Sequence, residues 1–312
     1  MAQAAATFST PKKKIKVSAG RRVFVVFNYI FCFLVGMICL VPVLHILAVS
    51  FSGIDAVVSN KVTLWPIDFN LENYEIVVGD AQFFRSYLVT FLRAIVGWAV
   101  SMLMTVLASY PMSLRQSAFP KRKYFVWYFM GTMLFNGGMI PTYLAMKSFG
   151  LLNSPFAVIF PGAVNVTNLI IARTYFATSI PWELQEAATI DGCSNTGLFL
   201  KIVLPLSMPI VAVIALYYLV GHWNAYFNAL IYLSNEKLYP LQLFLRNILL
   251  MDQMTEMMEG DSEALQALMR RLQLKESMKY GIVVLSSLPV LVIYPFLQKY
   301  FVKGMMIGAI KG

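Results

Sequence analysis

Six stretches of this chain contain no Asp, Glu, Lys or Arg and are long enough to cross a bilayer. They are residues 23–54, 94–114, 124–146, 148–172, 202–235 and 280–298, of 32, 21, 23, 25, 34 and 19 residues. A bilayer core is about 30 Å thick, so roughly 20 apolar residues in a helix span it. In lipid the backbone must satisfy its own hydrogen bonds, and for runs this apolar the α-helix does so. The expected fold is an all-α polytopic membrane protein with six transmembrane helices. The second helix is expected to begin near Arg85, which places Arg93 inside it. Gly137 and Gly138 mark a break or a close helix contact within the third run. Composition agrees: 59% of the 312 residues are hydrophobic and 13% charged, against roughly 45–50% and 25% in soluble domains. Disorder requires low hydrophobicity, and three cysteines do not make a disulfide scaffold.

Orientation follows from the basic residues. Six crossings put both termini on one side, together with residues 115–123 and 173–208. That side carries 15 Lys and Arg against three acids, Glu183, Glu186 and Asp191. The opposite side, residues 52–84, 147–155 and 234–279, carries 8 basic residues against 12 acids. The positive-inside rule places the termini in the cytoplasm. The formal net charge of +10 is therefore an orientation signal, and no basic excess is left for a nucleic acid to explain. The first run is far longer than the roughly 7–15 residues of a signal-peptide core and has no small-residue cleavage site. The chain divides into a basic tail over 1–22, a membrane domain over 23–301 and a short tail over 302–312.

The long outer loops, 52–84 and 234–279, are expected to hold short helices. In the second loop, apolar residues recur at helical spacing around 241–251 and 265–274, as in amphipathic helices that rest on a membrane or a partner. The inner loop over 179–208 is more specific. Pro181 suits the first position of a helix, Glu183 and Glu186 complement its dipole, and Gly192 can end it in a left-handed conformation. A second short helix with Leu198, Phe199 and Ile202 on one face follows, and Pro205 and Pro209 redirect the chain. This describes a helix-turn-helix on the cytoplasmic face.

Glu186-Ala187-Ala188, then Asp191-Gly192, then Ile202 and Leu204-Pro205 after a fixed gap, resemble the EAA loop of ABC importer permeases. Trp223-Asn224 with Ala229-Leu230-Ile231, and the tail Tyr300-Phe301-Val302-Lys303-Gly304 with Gly308-Ala309-Ile310-Lys311-Gly312, resemble the maltose-type carbohydrate subfamily. The segment 135–142 is similar to its oligosaccharide branch. Cys193 departs from the pattern, which usually has alanine after the glycine. The resemblance implies a bacterial cytoplasmic (inner) membrane protein whose EAA loop inserts into a cleft on an ATPase subunit. It implies a second six-span permease, homo- or heterodimeric, two cytoplasmic ATPase subunits and an extracytoplasmic solute-binding protein. ATP and Mg would then belong to the ATPase subunits.

The chain's omissions fit that division of labour. A phosphate-binding loop needs a Gly-Lys pair, and no glycine here is followed by lysine. The two histidines, His45 and His222, form no H-E-x-x-H motif. A sugar path needs aromatic platforms and neutral hydrogen-bonding groups. His222, Trp223, Asn224, Tyr226 and Asn228 supply them in the fifth run, with Asn224 and Asn228 expected on one helix face. Asn165 and Asn168 in the fourth run and Asn136 in the third are further candidates. The competing reading for each is helix–helix hydrogen bonding. Arg93 either snorkels or pairs across a subunit interface, or else the span begins after it. The alternative function is a self-contained secondary transporter or channel for a neutral polar solute, but proton coupling favours intramembrane acids and the runs hold none. A membrane enzyme would need clustered carboxylates, histidines or metal ligands.

Overall fold

Several charges that bound the apolar runs sit near helix ends, while Arg93 and Arg173 lie inside helices. The computed structural model describes residues 18–255 and 278–295. Residues 1–17 of the basic N-terminal tail, the helical spacing around 265–274 and the C-terminal motifs lie outside the described residues. α1 (Ala19–Ser50) opens with Ser18 as its cap, the hydroxyl accepting from Arg21 N. Its 32 residues make a helix of about 48 Å at 1.5 Å per residue, and only its last residues, Ala48, Val49 and Ser50, are buried. Two short helices follow, α2 (Ile54–Val58) and α3 (Glu72–Gly79). Asn73 of α3 donates to the carbonyls of Ser50 and Ser52 at 3.3 and 3.1 Å, supplying partners at the exit from α1.

α4 (Ala81–Ser113) is the central post. Asp80 caps it, accepting from the backbone N–H groups of Gln82 and Phe83 at 2.7 and 3.3 Å. Its buried face runs Ser86, Thr90, Arg93, Gly97, Ser101, Thr105 and Ser109, steps of three or four that keep small residues on one side. Small residues let membrane helices approach closely, and α4 packs against α8 (Val166–Ser179) and α12 (Met208–Asn224). Both Arg85 and Arg93 fall within α4.

Three runs read as single spans are divided. The third splits into α5 (Arg122–Leu134) and α6 (Met139–Ser148), 13 and 10 residues long. Between them Gly138 has φ +86° and donates its N–H to Asn136 Oδ1 at 2.9 Å. The fourth run contains α7 (Phe156–Ile159), a 3-10 turn (Phe160–Gly162) and then α8, bent by 50°. The fifth run is bent by 81° between the segment Asn195–Leu206 and α12, then breaks again before α13 (Phe227–Tyr232). α14 (Leu241–Thr255) and α15 (Met278–Pro295) complete the described chain. Among the described residues, three helices are long and apolar enough to cross a membrane, or five if each bent pair is one span. Among the described residues the third run is not one continuous span, because Gly138 and its Asn136 turn leave α5 and α6 each too short to cross alone, and the fourth and fifth runs are bent.

Candidate functional site

The loop between α8 and α12 folds as a short helix, a tight turn and a second helical segment. α9 spans Trp182–Ile190. Pro181 caps it rather than opening it, one position earlier than its fixed φ suggests, with ψ at 137°. Gly192 sits just past the end at φ +77°. Its N–H donates to Thr189 O at 3.0 Å and that of Cys193 to Ala188 O at 2.9 Å, the Schellman pattern that satisfies the last carbonyls of a helix. Ser194 then caps α10 (Asn195–Leu198). A wide π turn (Phe199–Val203) joins α10 to α11 (Leu204–Leu206). Pro205 has no N–H to continue the regular ladder, which accounts for the irregular helix beside it.

The loop has a rooted face and a free face. Ala188, Leu198, Phe199 and Val203 are buried in one cluster with Ala172 and Phe176 of α8 and Ile214 and Tyr218 of α12, with Ile202 and Leu204 packed against it. Glu186, Ala187, Asp191, Gly192 and Pro205 are exposed, and Ile190 is 86% exposed. Trp182 Nε1 donates to Glu186 Oε1 while the Arg115 guanidinium lies 4.8 Å from the Trp182 ring centre. A cleft of about 720 Å³ separates α9 from the end of α4, lined by Tyr110, Trp182, Gln185 and Glu186 among others.

A second, polar cleft lies between α8 and α12. Its volume is about 440 Å³, and it is lined by Asn165, Thr167, Asn168, Tyr217, Tyr218, His222, Ala225 and Asn228, with Val158, Gly162 and Gly221. That volume is in the range of small-ligand sites, about 300–1,000 Å³. Its wall is anchored to α4. Ser101 Oγ lies 3.1 Å from His222 Nε2, and Thr105 Oγ1 lies 2.6 Å from Tyr218 OH, which accepts from Asn165 N at 3.0 Å. Asn165 also caps α8, its Oδ1 accepting from Asn168 N at 3.1 Å. Gly97 leaves room for the His222 ring.

Four of the residues singled out from sequence, Asn165, Asn168, His222 and Asn228, thus meet in one cleft. The others do not. Trp223 is buried and donates Nε1–H to Ser286 O of α15 at 2.9 Å, with Tyr87 edge-on at 5.8 Å. Asn224 is exposed and donates to Val220 O at 3.1 Å. Tyr226 is exposed, in the break between α12 and α13. Asn136 is spent on the turn before α6. Asn224 and Asn228 do not share a helix face, because α12 ends at Asn224 and Asn228 belongs to α13. Arg93 neither snorkels nor reaches out of the chain. It turns inward and donates from Nη2 to His222 O and Ala225 O, at 2.6 and 2.7 Å, at the end of α12. A helix end leaves its last carbonyls without partners, and a cation there is favoured by the dipole. Sequence reading also missed the anchors Gly97, Ser101 and Thr105, whose four-residue spacing was the available signal.

No family model matches the chain. The permease protein YtcP of the polygalacturonan/rhamnogalacturonan transport system of Bacillus subtilis (strain 168) is 39% identical over 296 residues, covering 93% of this chain and 99% of the relative. The chain belongs to the sugar permeases of ABC transporters. A solved chain from a bacterial ABC transporter that imports the acidic polysaccharide alginate superposes on this permease with a TM-score of 0.80 at 31% identity. The match covers 92% of the permease and 99% of that chain. A chain from the alginate transporter in complex with its pentasaccharide-bound periplasmic protein matches with a TM-score of 0.52 at 12% identity, covering 89% and 93%, a likeness of fold alone. These relatives are subunits of transport systems, and this permease has helices apolar enough to cross a membrane.

Proposed function

We propose that this permease forms half of the pore of a binding-protein-dependent importer and passes an oligosaccharide along the polar cleft between α8 and α12. It crosses the membrane six times, α5 and α6 together making one interrupted crossing, with both termini cytoplasmic. The α9–α11 loop docks on an ATPase subunit, where ATP and Mg²⁺ bind. The second pore half is another six-span permease, and an extracytoplasmic solute-binding protein delivers the sugar. The named substrates of YtcP and the alginate transporter support a sugar chain as cargo.

The observation that carries the reading is that loop and cleft are built on the same three helices. Ala188, Leu198 and Val203 of the loop pack with Phe176 of α8 and Tyr218 of α12. Tyr218 also lines the cleft and is held by Thr105 of α4. A push on α9 therefore reaches the cleft through packed side chains. The test is transport and ATP hydrolysis by the reconstituted complex with Glu186→Ala and Gly192→Val. Transport should fall while membrane insertion persists, either with ATP hydrolysis continuing or with the ATPase subunits lost. Normal transport in both variants refutes the coupling role, and uptake by the purified chain without an ATPase refutes the importer reading.

A further inference from the structure

Arg93 carries a charge that a neutral sugar path does not need. Its side chain is 6% exposed near the middle of α4. Nη2 donates to two backbone carbonyls, while Nε and Nη1 are buried without a partner. All its hydrogen bonds therefore go to neutral groups. An ionisable side chain held inside a membrane protein is costly and marks a functional path. The α12 dipole favours a cation at this end, but the two carbonyls themselves can be satisfied by a neutral donor such as an amide.

The position of the charge matters. The carbonyls that it holds belong to His222 and Ala225, and both residues line the polar cleft. Arg93 therefore stands directly behind the cleft wall. The cleft's lining contains no Asp, Glu, Lys or Arg, so it has neither an acid to repel an anion nor another fixed charge to compete with Arg93. A charge kept from water and salt is felt over a longer distance than one at the surface. We propose that Arg93 is a specificity-determining residue that biases the cleft toward anionic oligosaccharides, those whose rings bear carboxylates, through its field rather than by contact. The proposal rests on the oligosaccharide-path reading and adds a sign of charge to it.

The test uses the full transporter complex in lipid nanodiscs without the binding protein, so that the permease alone discriminates. Calorimetric titration compares trigalacturonate with neutral galactotriose. The wild-type complex should bind the acidic trisaccharide about tenfold or more tightly, equivalent to about 1.4 kcal/mol. Arg93→Lys, which keeps the charge, should retain the preference, and Arg93→Gln should bring the ratio close to one. A wild-type complex without the preference, or an Arg93→Gln complex that retains it, overturns the proposal. If Arg93→Gln fails to assemble, Asn228→Asp sets an opposing charge on the cleft wall and leaves the arginine in place. It should lower the ratio, and an unchanged ratio again overturns the proposal. Failure of the wild-type complex to bind either trisaccharide refutes the oligosaccharide path itself, and the charge preference falls with it.

Discussion

Gly97→Ala offers a direct test of how tightly the cleft wall is fixed to α4. A Cβ at this position would lie 2.7 Å from Cε1 and Nδ1 of His222 and 2.9 Å from Cγ. These are ring atoms of a buried side chain, not the end of a flexible one. The ring also stacks on Tyr218, centroids 6.5 Å apart, and pairs with Ser101 at 3.1 Å. It has to move, and the Ser101 bond goes with it. Overpacking costs about 1–3 kcal/mol and the lost buried hydrogen bond about 0.5–1.5 kcal/mol. Alanine returns up to about 1 kcal/mol of helix propensity. The net expectation is a loss of about 1–3 kcal/mol, read as a lower SDS concentration for unfolding of the solubilised permease. Gly131→Ala in α5 is the control, because a Cβ there meets nothing within 4 Å and only the propensity gain remains. In a His222→Ala background the Gly97→Ala penalty should vanish, since the ring is gone and the cycle isolates the contact. A Gly97→Ala protein as stable as wild type, or a penalty unchanged without the ring, refutes the reasoning.

Tyr218→Phe removes the acceptor for Asn165 N and the partner of Thr105; it should cost about 1–3 kcal/mol for the orphaned groups in the same unfolding assay. Gly192→Ala has no steric neighbour but must adopt φ +77°, a strain of about 1–2 kcal/mol. Retention of the ATPase subunits on purification should drop, and Gly192→Asn should keep more of them because asparagine tolerates that conformation. Tyr74 lies outside the membrane-spanning segments, half-buried, and burial raises its hydroxyl pKa against the opposing hydrogen bond from Ser50. The folded state then holds its proton to higher pH than the unfolded state, so its contribution is intact below the unfolded pKa of about 10 and is lost as pH rises through that range. The stability gap between wild type and Tyr74→Phe should shrink there, and a constant gap across pH 8–11 counts against the assignment.

The sequence made some of this legible because the physics was local. Gly192 past a short helix with Glu183 in its first turn reads as a left-handed terminator, and its φ is +77°. Arg93 reads as lying inside the second helix, and it does. Four cleft residues could be named because a polar group in an apolar run stands out. What could not be read was how those groups are spent. Arg93 reaches carbonyls 129 and 132 residues away, and Thr90 Oγ1 accepts from Leu241 N across 151 residues. Asn153 Oδ1 accepts from Ser234 N and Asn235 N, beyond the end of α13 and 81 and 82 residues away. No spacing rule within a run carries that information. Trp223, similar on sequence to a path-lining aromatic, instead ties α12 to α15.

These long-range bonds follow a common rule. Irregular backbone at membrane depth is tolerated only when other groups satisfy it, and three breaks in this permease draw on a polar residue. The turn at 135–138 uses Asn136, the start of α8 uses Asn165, and the end of α12 uses Arg93. Beside side-chain anchors such as Ser101 and Thr105, two further groups of polar residues stand within or next to its apolar runs. One group repairs the backbone; Asn136 and Thr90 belong to it. The other, with Thr167, Tyr217 and Asn228, faces the cleft with no backbone break to repair. Asn165 and Arg93 stand at the boundary, because each mends a helix end that also forms or backs the cleft wall. At those two positions a change made to alter transport also alters the fold, so their roles separate only when substrate preference is measured as a ratio and not as a rate.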